Sequence, residues 1–204
     1  MRAIRRWSDG LRVPPGDRDP RAALAAKVAL LVALNQPFYP LYFYWSVSHV
    51  VLPACLTFLS TPFFAAVPFV TKRSRLAGSI LLLLAGLGNT LLCRIVFGPA
   101  SGVDVFLLPC LVLATLLFRH PERRYALAFV AAAFAIYLLP DAMLPAPMHI
   151  YGAEEHAALR RLNFLSAAGL TAMIPVLFSG ADRGLEIQAS PRDVDPSGTE
   201  GSRR

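Results

Sequence analysis

The chain has 204 residues, 55% of them apolar and 16% charged, with a formal net charge of +7 and a mean hydropathy of +0.51. Soluble domains carry about a quarter charged residues and disordered chains far less apolar material, which excludes both classes for the chain as a whole. The basic excess does not point to nucleic acid either, because the basic residues lie between long apolar runs rather than on one solvated face.

Residues 1–21 form a basic arm rich in Pro and Gly. The first 23 residues hold six arginines and the breaker series Val13-Pro14-Pro15-Gly16, so they do not read as a cleavable signal peptide. A helix needs about 20 apolar residues to cross a hydrocarbon core of about 30 Å. Six runs are predicted as membrane spans: Ala22 to Tyr42, Val47 to Val70, Leu76 to Phe97, Val103 to Phe118, Tyr125 to Leu139 and Ala157 to Ser179. Thr71-Lys72-Arg73-Ser74-Arg75, Gly98-Pro99-Ala100-Ser101-Gly102 and Arg119-His120-Pro121-Glu122-Arg123-Arg124 punctuate them. The first two spans are separated by so little that one kinked helix or a re-entrant hairpin also fits. The fourth and fifth are short and need tilt or snorkelling flanks. Residues 180–204 read as a disordered tail, beginning at the interrupting Gly180-Ala181-Asp182-Arg183-Gly184.

The Lys and Arg distribution was not used to draw these spans, and it orients them. With the N-terminus inside, 17 of the 20 basic residues fall on the cytoplasmic side, and only Arg94, Arg160 and Arg161 fall outside. The fold class is therefore an all-α polytopic membrane protein of six transmembrane helices with both termini cytoplasmic. Its domains are the arm 1–21, a bundle 22–179 and the tail 180–204. Tyr42, Tyr44, Trp45 and Tyr151 are placed at the outer interface as an aromatic belt. Cys55, Cys93 and Cys110 are widely spaced within apolar runs and read as buried thiols.

Polar residues within spans are costly in hydrocarbon and point to a pocket or to helix contacts. Asn35-Gln36-Pro37 in the first span and Asn89 in the third are such residues. With His49, Arg94 and Asp104 near the outer face, Asn35 and Gln36 make up the candidate ligand site. Arg94 and Asp104 flank one short turn and are predicted to pair across it. Glu155 and His156 are the closest approach to a metal pair, but no ligand spacing supports them, so no metal or cofactor is expected. Ser101 resembles the nucleophile of rhomboid-type intramembrane serine proteases, but Pro99 stands where those have Gly and the fifth and sixth spans contain no histidine. Glu154-Glu155-His156 resembles the start of a prenyl-endopeptidase motif, but position 159 is Leu where that motif has Arg. No catalytic residue is assigned.

The order of features is more specific than any one of them. A short first outer turn, a basic second connection, Gly98, Ser101, Gly102 and Asp104 leading into Val105-Phe106-Leu107-Leu108, the Arg-His-Pro-Glu-Arg-Arg turn and a long outer loop together resemble the MASE-type six-helix membrane domain. That domain precedes bacterial class III adenylyl cyclases, some diguanylate cyclases and some sensor histidine kinases. The resemblance covers residues 22–185 and implies a membrane sensor or anchor in signal transduction, located in a bacterial inner membrane. Only 25 residues follow Ser179, whereas an output domain of those enzymes needs well over about 100. No catalytic activity is therefore carried over. The expected partners are the lipid bilayer and a signalling protein, with room for a homodimer and none for nucleic acid. A small transporter or channel, or a structural scaffold, is the alternative.

Overall fold

The computed structural model describes residues 19–189, and the surroundings of side chains for residues 19–179. Six helices traverse the body alternately between two ends: α1 (Pro20–Ser46), α2 (Leu52–Arg73), α3 (Arg75–Phe97), α4 (Val103–Leu117), α5 (Arg123–Tyr137) and α6 (Ala153–Ala189). Among the described residues there is no strand. An all-helical body suits so apolar a chain, because a helix satisfies its backbone polar groups within itself. Four of the helices, α1, α2, α3 and α6, are long and apolar enough to cross a membrane.

The other two are short, as their apolar runs predict: α4 ends one residue before Phe118, and α5 keeps the predicted length but starts two residues earlier, at Arg123. At 1.5 Å per residue, α4 and α5 are each ~22 Å long. Phe118 is extended, and Pro121 together with the three-residue turn His120–Glu122 sets the α4–α5 corner.

Local chemistry sets the helix ends. Asp19 caps α1, its carboxylate accepting from the Arg21 amide at 2.9 Å, with Pro20 at the first helical position. The helix therefore starts ahead of Ala22, inside the stretch assigned to the basic arm. Pro37 has no N–H to donate, and α1 tightens into a 3₁₀ turn over Gln36–Phe38 before resuming to Ser46. The chain turns back only at Val47, where the Phe43 carbonyl accepts both the Val47 and Ser48 amides. The first two spans are thus separate helices. Ser74 caps α3, and Gly98 (φ +78°) ends it in a conformation that other residues rarely adopt.

At one end, hereafter the Arg75 end, Arg75 bonds the last carbonyl of α4 (Leu117, 2.9 Å), pairs with Asp19 at 3.1 Å and binds Glu122. Arg119 also reaches Asp19, at 2.6 Å. Loops assigned to one side from charge alone therefore meet at one end. An apolar core of α1 to α6 residues, including Leu24, Val28, Val67, Leu83, Leu113 and Ile174, lies towards it. A second core, around Phe43, Phe97, Val103, Tyr151 and Leu159, lies towards the Arg94 end. Tyr151 is only 3% exposed. Its ring packs edge-on against Phe43 and its hydroxyl donates to the Val50 carbonyl. It is therefore a core residue of this end and not part of an interfacial belt, whereas Tyr42, Tyr44 and Trp45 are exposed.

Helix α6 differs from the expected ending. It continues through Gly180 and Gly184 to Ala189. A helical glycine costs about 1 kcal/mol relative to alanine, so it weakens a helix without ending it, and Ala181, Arg183, Leu185 and Glu186 between and after the two glycines add little further cost. The arm before Asp19 and the tail after Ala189 lie outside the described residues.

Candidate functional site

A cavity of about 390 Å³ lies inside the bundle, walled by α1, α2, α3, α4 and α6. Along α1 it reaches from Val28 to Tyr42, ~21 Å of helix. Its walls are mainly aliphatic and aromatic, with a band of neutral polar groups near the 3₁₀ turn of α1: Asn35, Gln36, Thr57, Asn89 and Thr90. Among the described residues no charged side chain lines it.

The polar band has a bonded half and an unbonded half. Gln36 is buried, and its Nε2 donates to Ser60 Oγ at 2.5 Å and to the Thr57 carbonyl at 3.2 Å. The Thr61 hydroxyl donates to Gln36 Oε1. The single proton of Ser60 has two acceptors at 2.8 Å, the Thr57 carbonyl and Asn89 Oδ1. This network joins α1, α2 and α3 and occupies both functions of the Gln36 amide. Asn35 and Asn89 Nδ2, by contrast, have no hydrogen-bond partner among the described residues, although both residues face the cavity.

The mouth is lateral. The lining residues that are also exposed are Leu31, Asn35 and Tyr42 from α1 and Leu165, Gly169 and Met173 from α6. At Gly169 an added Cβ would have no atom within 4 Å. Above the mouth, towards the Arg94 end, the Tyr39 hydroxyl donates to Asn163 Oδ1 at 3.0 Å. Fully buried Asn163 in turn donates to the Ser101 carbonyl at 3.1 Å. α6 is thereby tied to α1 and to the α3–α4 turn by one side chain.

Of the five predicted ligand-site residues, Asn35 and Gln36 line this cavity, and His49, Arg94 and Asp104 do not. Arg94 is buried at its own end of the bundle. It donates to the carbonyls of Ile136 (2.5 Å), Tyr137 (3.1 Å) and Leu139 (2.9 Å) and to Asp141 (2.9 Å), capping α5. The predicted pairing with Asp104 is present as an ion contact of 3.5 Å, although Asp104 Oδ1 makes no hydrogen bond. His49 is exposed on the α1–α2 turn, its ring 4.6 Å from that of Tyr44.

Glu155 and His156 serve the start of α6. Glu155 Oε2 accepts from the Gly152 amide at 2.7 Å, and His156 Nδ1 lies 3.1 Å from the Gly152 carbonyl. Among the described residues no three His, Cys, Asp or Glu side chains converge as metal ligands would. Ser101 is fully buried, and its hydroxyl donates to the Gly98 carbonyl.

The residues that sequence reasoning left out of the site are Thr57, Asn89, Thr90, Ser166 and Gly169. Asn89 carried a signal, as an amide inside an apolar run. Gly169 carried none, since a helical glycine reads as packing until its surroundings are known. No protein-family model, curated protein or solved structure matches the chain.

Proposed function

We propose that the chain is an integral membrane sensor and anchor domain of signal transduction that binds a small ligand in its central cavity and acts through a partner protein, without catalysis of its own. In this reading all six helices lie in a bacterial inner membrane with both termini cytoplasmic. The Arg75 end faces the cytoplasm, and tilt, local thinning and snorkelling side chains accommodate the short α4 and α5. The clustering of 17 of 20 basic residues on one side of the spans supports that orientation, as does the likeness of the feature order to MASE-type membrane domains.

The observation that carries the reading is that the cavity and the exit of the chain share a helix. α6 supplies Leu165, Ser166, Gly169, Leu170 and Met173 to the cavity wall and continues beyond it to Ala189. A ligand that prefers one packing of α6 shifts the position of its cytoplasmic end by no more than its differential affinity for the two packings.

The test is photo-crosslinking in cells from positions 123 and 179, followed by measurement of the captured partner's output with Gly169→Phe filling the cavity mouth. Capture of a cyclase, kinase or other signalling protein whose output changes in G169F supports the reading. Capture of no signalling protein, or an output indifferent to G169F, refutes it.

A further inference from the structure

We infer that the cavity is a binding site for an uncharged, single-chain amphiphile that reaches it sideways from the bilayer, between α1 and α6. The inference names the ligand class of the sensor reading and rests on it for its biological consequence, while its chemistry comes from the cavity.

The exposed lining residues belong to α1 and α6, two helices long and apolar enough to cross a membrane, so the mouth faces the region where hydrocarbon would lie. A ligand drawn from that region is largely apolar. With no charged residue in the lining among the described residues, an ionic head is disfavoured, because an ion moved into such a site finds no counter-charge and loses its hydration.

The head must nevertheless hydrogen-bond. Asn35, exposed at the mouth, and half-buried Asn89 through Nδ2 bring to the cavity lining amide groups with no hydrogen-bond partner among the described residues, and an amide that faces hydrocarbon without a partner is costly. A hydroxyl or carbonyl head placed there accepts from the amides, and a hydroxyl can in addition donate to Asn35 Oδ1. Gln36 cannot serve, because Ser60, Thr57 and Thr61 already occupy it.

From that level the apolar wall runs towards the Arg75 end through Val32, Val28, Leu82, Leu113 and Met173. A volume of about 390 Å³ spread along the cavity's length falls at the low end of the ~300–1,000 Å³ typical of ligand pockets. It accommodates one chain and not a two-chain lipid.

The test uses the purified full chain in a bulky steroid-based detergent, titrated by native mass spectrometry with three twelve-carbon probes: 1-monododecanoylglycerol, dodecanoate and dodecylphosphocholine. The neutral glyceride is expected to bind one per chain, at least tenfold more tightly than either charged probe. Asn35→Leu should weaken it at least about tenfold, the scale of one to two lost hydrogen bonds, and Gly169→Phe should abolish it. Both variants are expected to fold, since Asn35 makes no hydrogen bond and the space beside Gly169 is open.

Charged probes that bind as tightly, a glyceride that fails to bind, or binding that survives G169F each overturn the inference. Binding is read without any partner, and partner output is read in cells. Failure of the titration therefore leaves the crosslinks standing, and failure of the crosslinks leaves the titration standing.

Discussion

Replacing Arg94 by methionine removes a charge of similar length while keeping the helix. The guanidinium satisfies three carbonyls at the end of α5 and faces Asp104 at 3.5 Å. Its bond to Asp141 adds little, because that carboxylate is 61% exposed and water can replace the arginine. The three carbonyls and the partly buried Asp104 set the cost. Hydrogen bonds to a charged group contribute about 1.5–3 kcal/mol each, and breaking a buried ion pair costs about 3–5 kcal/mol. One truncation removes these contacts together, so their contributions overlap rather than add, and some water reaches this end of the bundle; R94M should therefore lose about 3–5 kcal/mol, the cost of breaking one buried pair. R94K keeps the charge, but a compact ammonium cannot span carbonyls from Ile136 to Leu139 as a planar fork does, so a loss of about 1–3 kcal/mol is expected. Unfolding in mixed micelles, followed by helical circular dichroism, measures both variants. Adding Asp104→Asn to R94M should recover part of the loss, because it removes the charge left without a counter-ion. An R94M protein within about 1 kcal/mol of wild type, or a D141N variant that costs as much, would refute the reasoning and make Arg94 a surface ion pair.

Gly78 lies where an added Cβ would come within 2.0 Å of Thr71 Oγ1 and 2.8 Å of Thr71 Cα. Gly78→Ala should therefore force α2 and α3 apart and cost about 1–3 kcal/mol in the same unfolding assay, despite its better helix propensity. Gln36→Leu strands its acceptors and donors on Thr57, Ser60 and Thr61 and should cost about 1–3 kcal/mol; an unchanged midpoint would show that the network is dispensable. The Glu122 carboxyl is pushed up by partial burial but held below its ordinary value by the hydrogen bonds and charges of Arg75 and Arg119. A depressed carboxylate contributes stability that is present above its unfolded value, about 4.3, and lost as pH falls through the lower folded value. Wild type minus E122Q should accordingly be flat from about pH 7 to 5 and shrink below about pH 4; a difference that grows on acidification would reverse the assigned sign. Tyr151→Phe, which loses the 3.2 Å bond to the Val50 carbonyl, should cost about 1 kcal/mol with the helix content unchanged.

The helices and their alternation were legible because apolar run length and basic punctuation are properties of the chain itself. Arg75 meeting Asp19 and Glu122, and Arg94 meeting Asp104, follow from the same reading, since each set was assigned to one end before any contact was known. The shortness of α4 and α5 was legible too, since each helix is within one residue of the length of its apolar run. What hydropathy did not register is the corner itself, which the extended Phe118 and Pro121 set. The continuation of α6 through two glycines was hidden because a glycine weakens a helix by about 1 kcal/mol without ending it, yet in an apolar-run reading it counts as a stop. Tyr151 was misplaced because an aromatic near a span end reads as an interfacial anchor. Its burial depends on Phe43 and Phe97, which come from other helices.

The site separates what sequence can and cannot supply. Asn35 and Gln36 are adjacent, chemically alike and at the same depth, and the pattern gives no ground for treating them differently. In the structure they sit on either side of the change from α-helix to 3₁₀ turn, and one residue of rotation sends them in different directions. Gln36 turns into α2, where Thr57, Ser60 and Thr61 have hydroxyl and carbonyl groups facing α1, and it becomes a strut of the bundle. Asn35 turns towards the gap before α6 and keeps its amide unbonded. The difference is set by Pro37, whose missing N–H ends the α-helical pattern there, and by the spacing of three small hydroxyl residues on a helix whose register against α1 only folding fixes. A Gln36 variant should therefore report on stability and an Asn35 variant on occupancy. A chain in which both substitutions changed unfolding equally, and neither changed binding, would show that the two amides act as one structural pair.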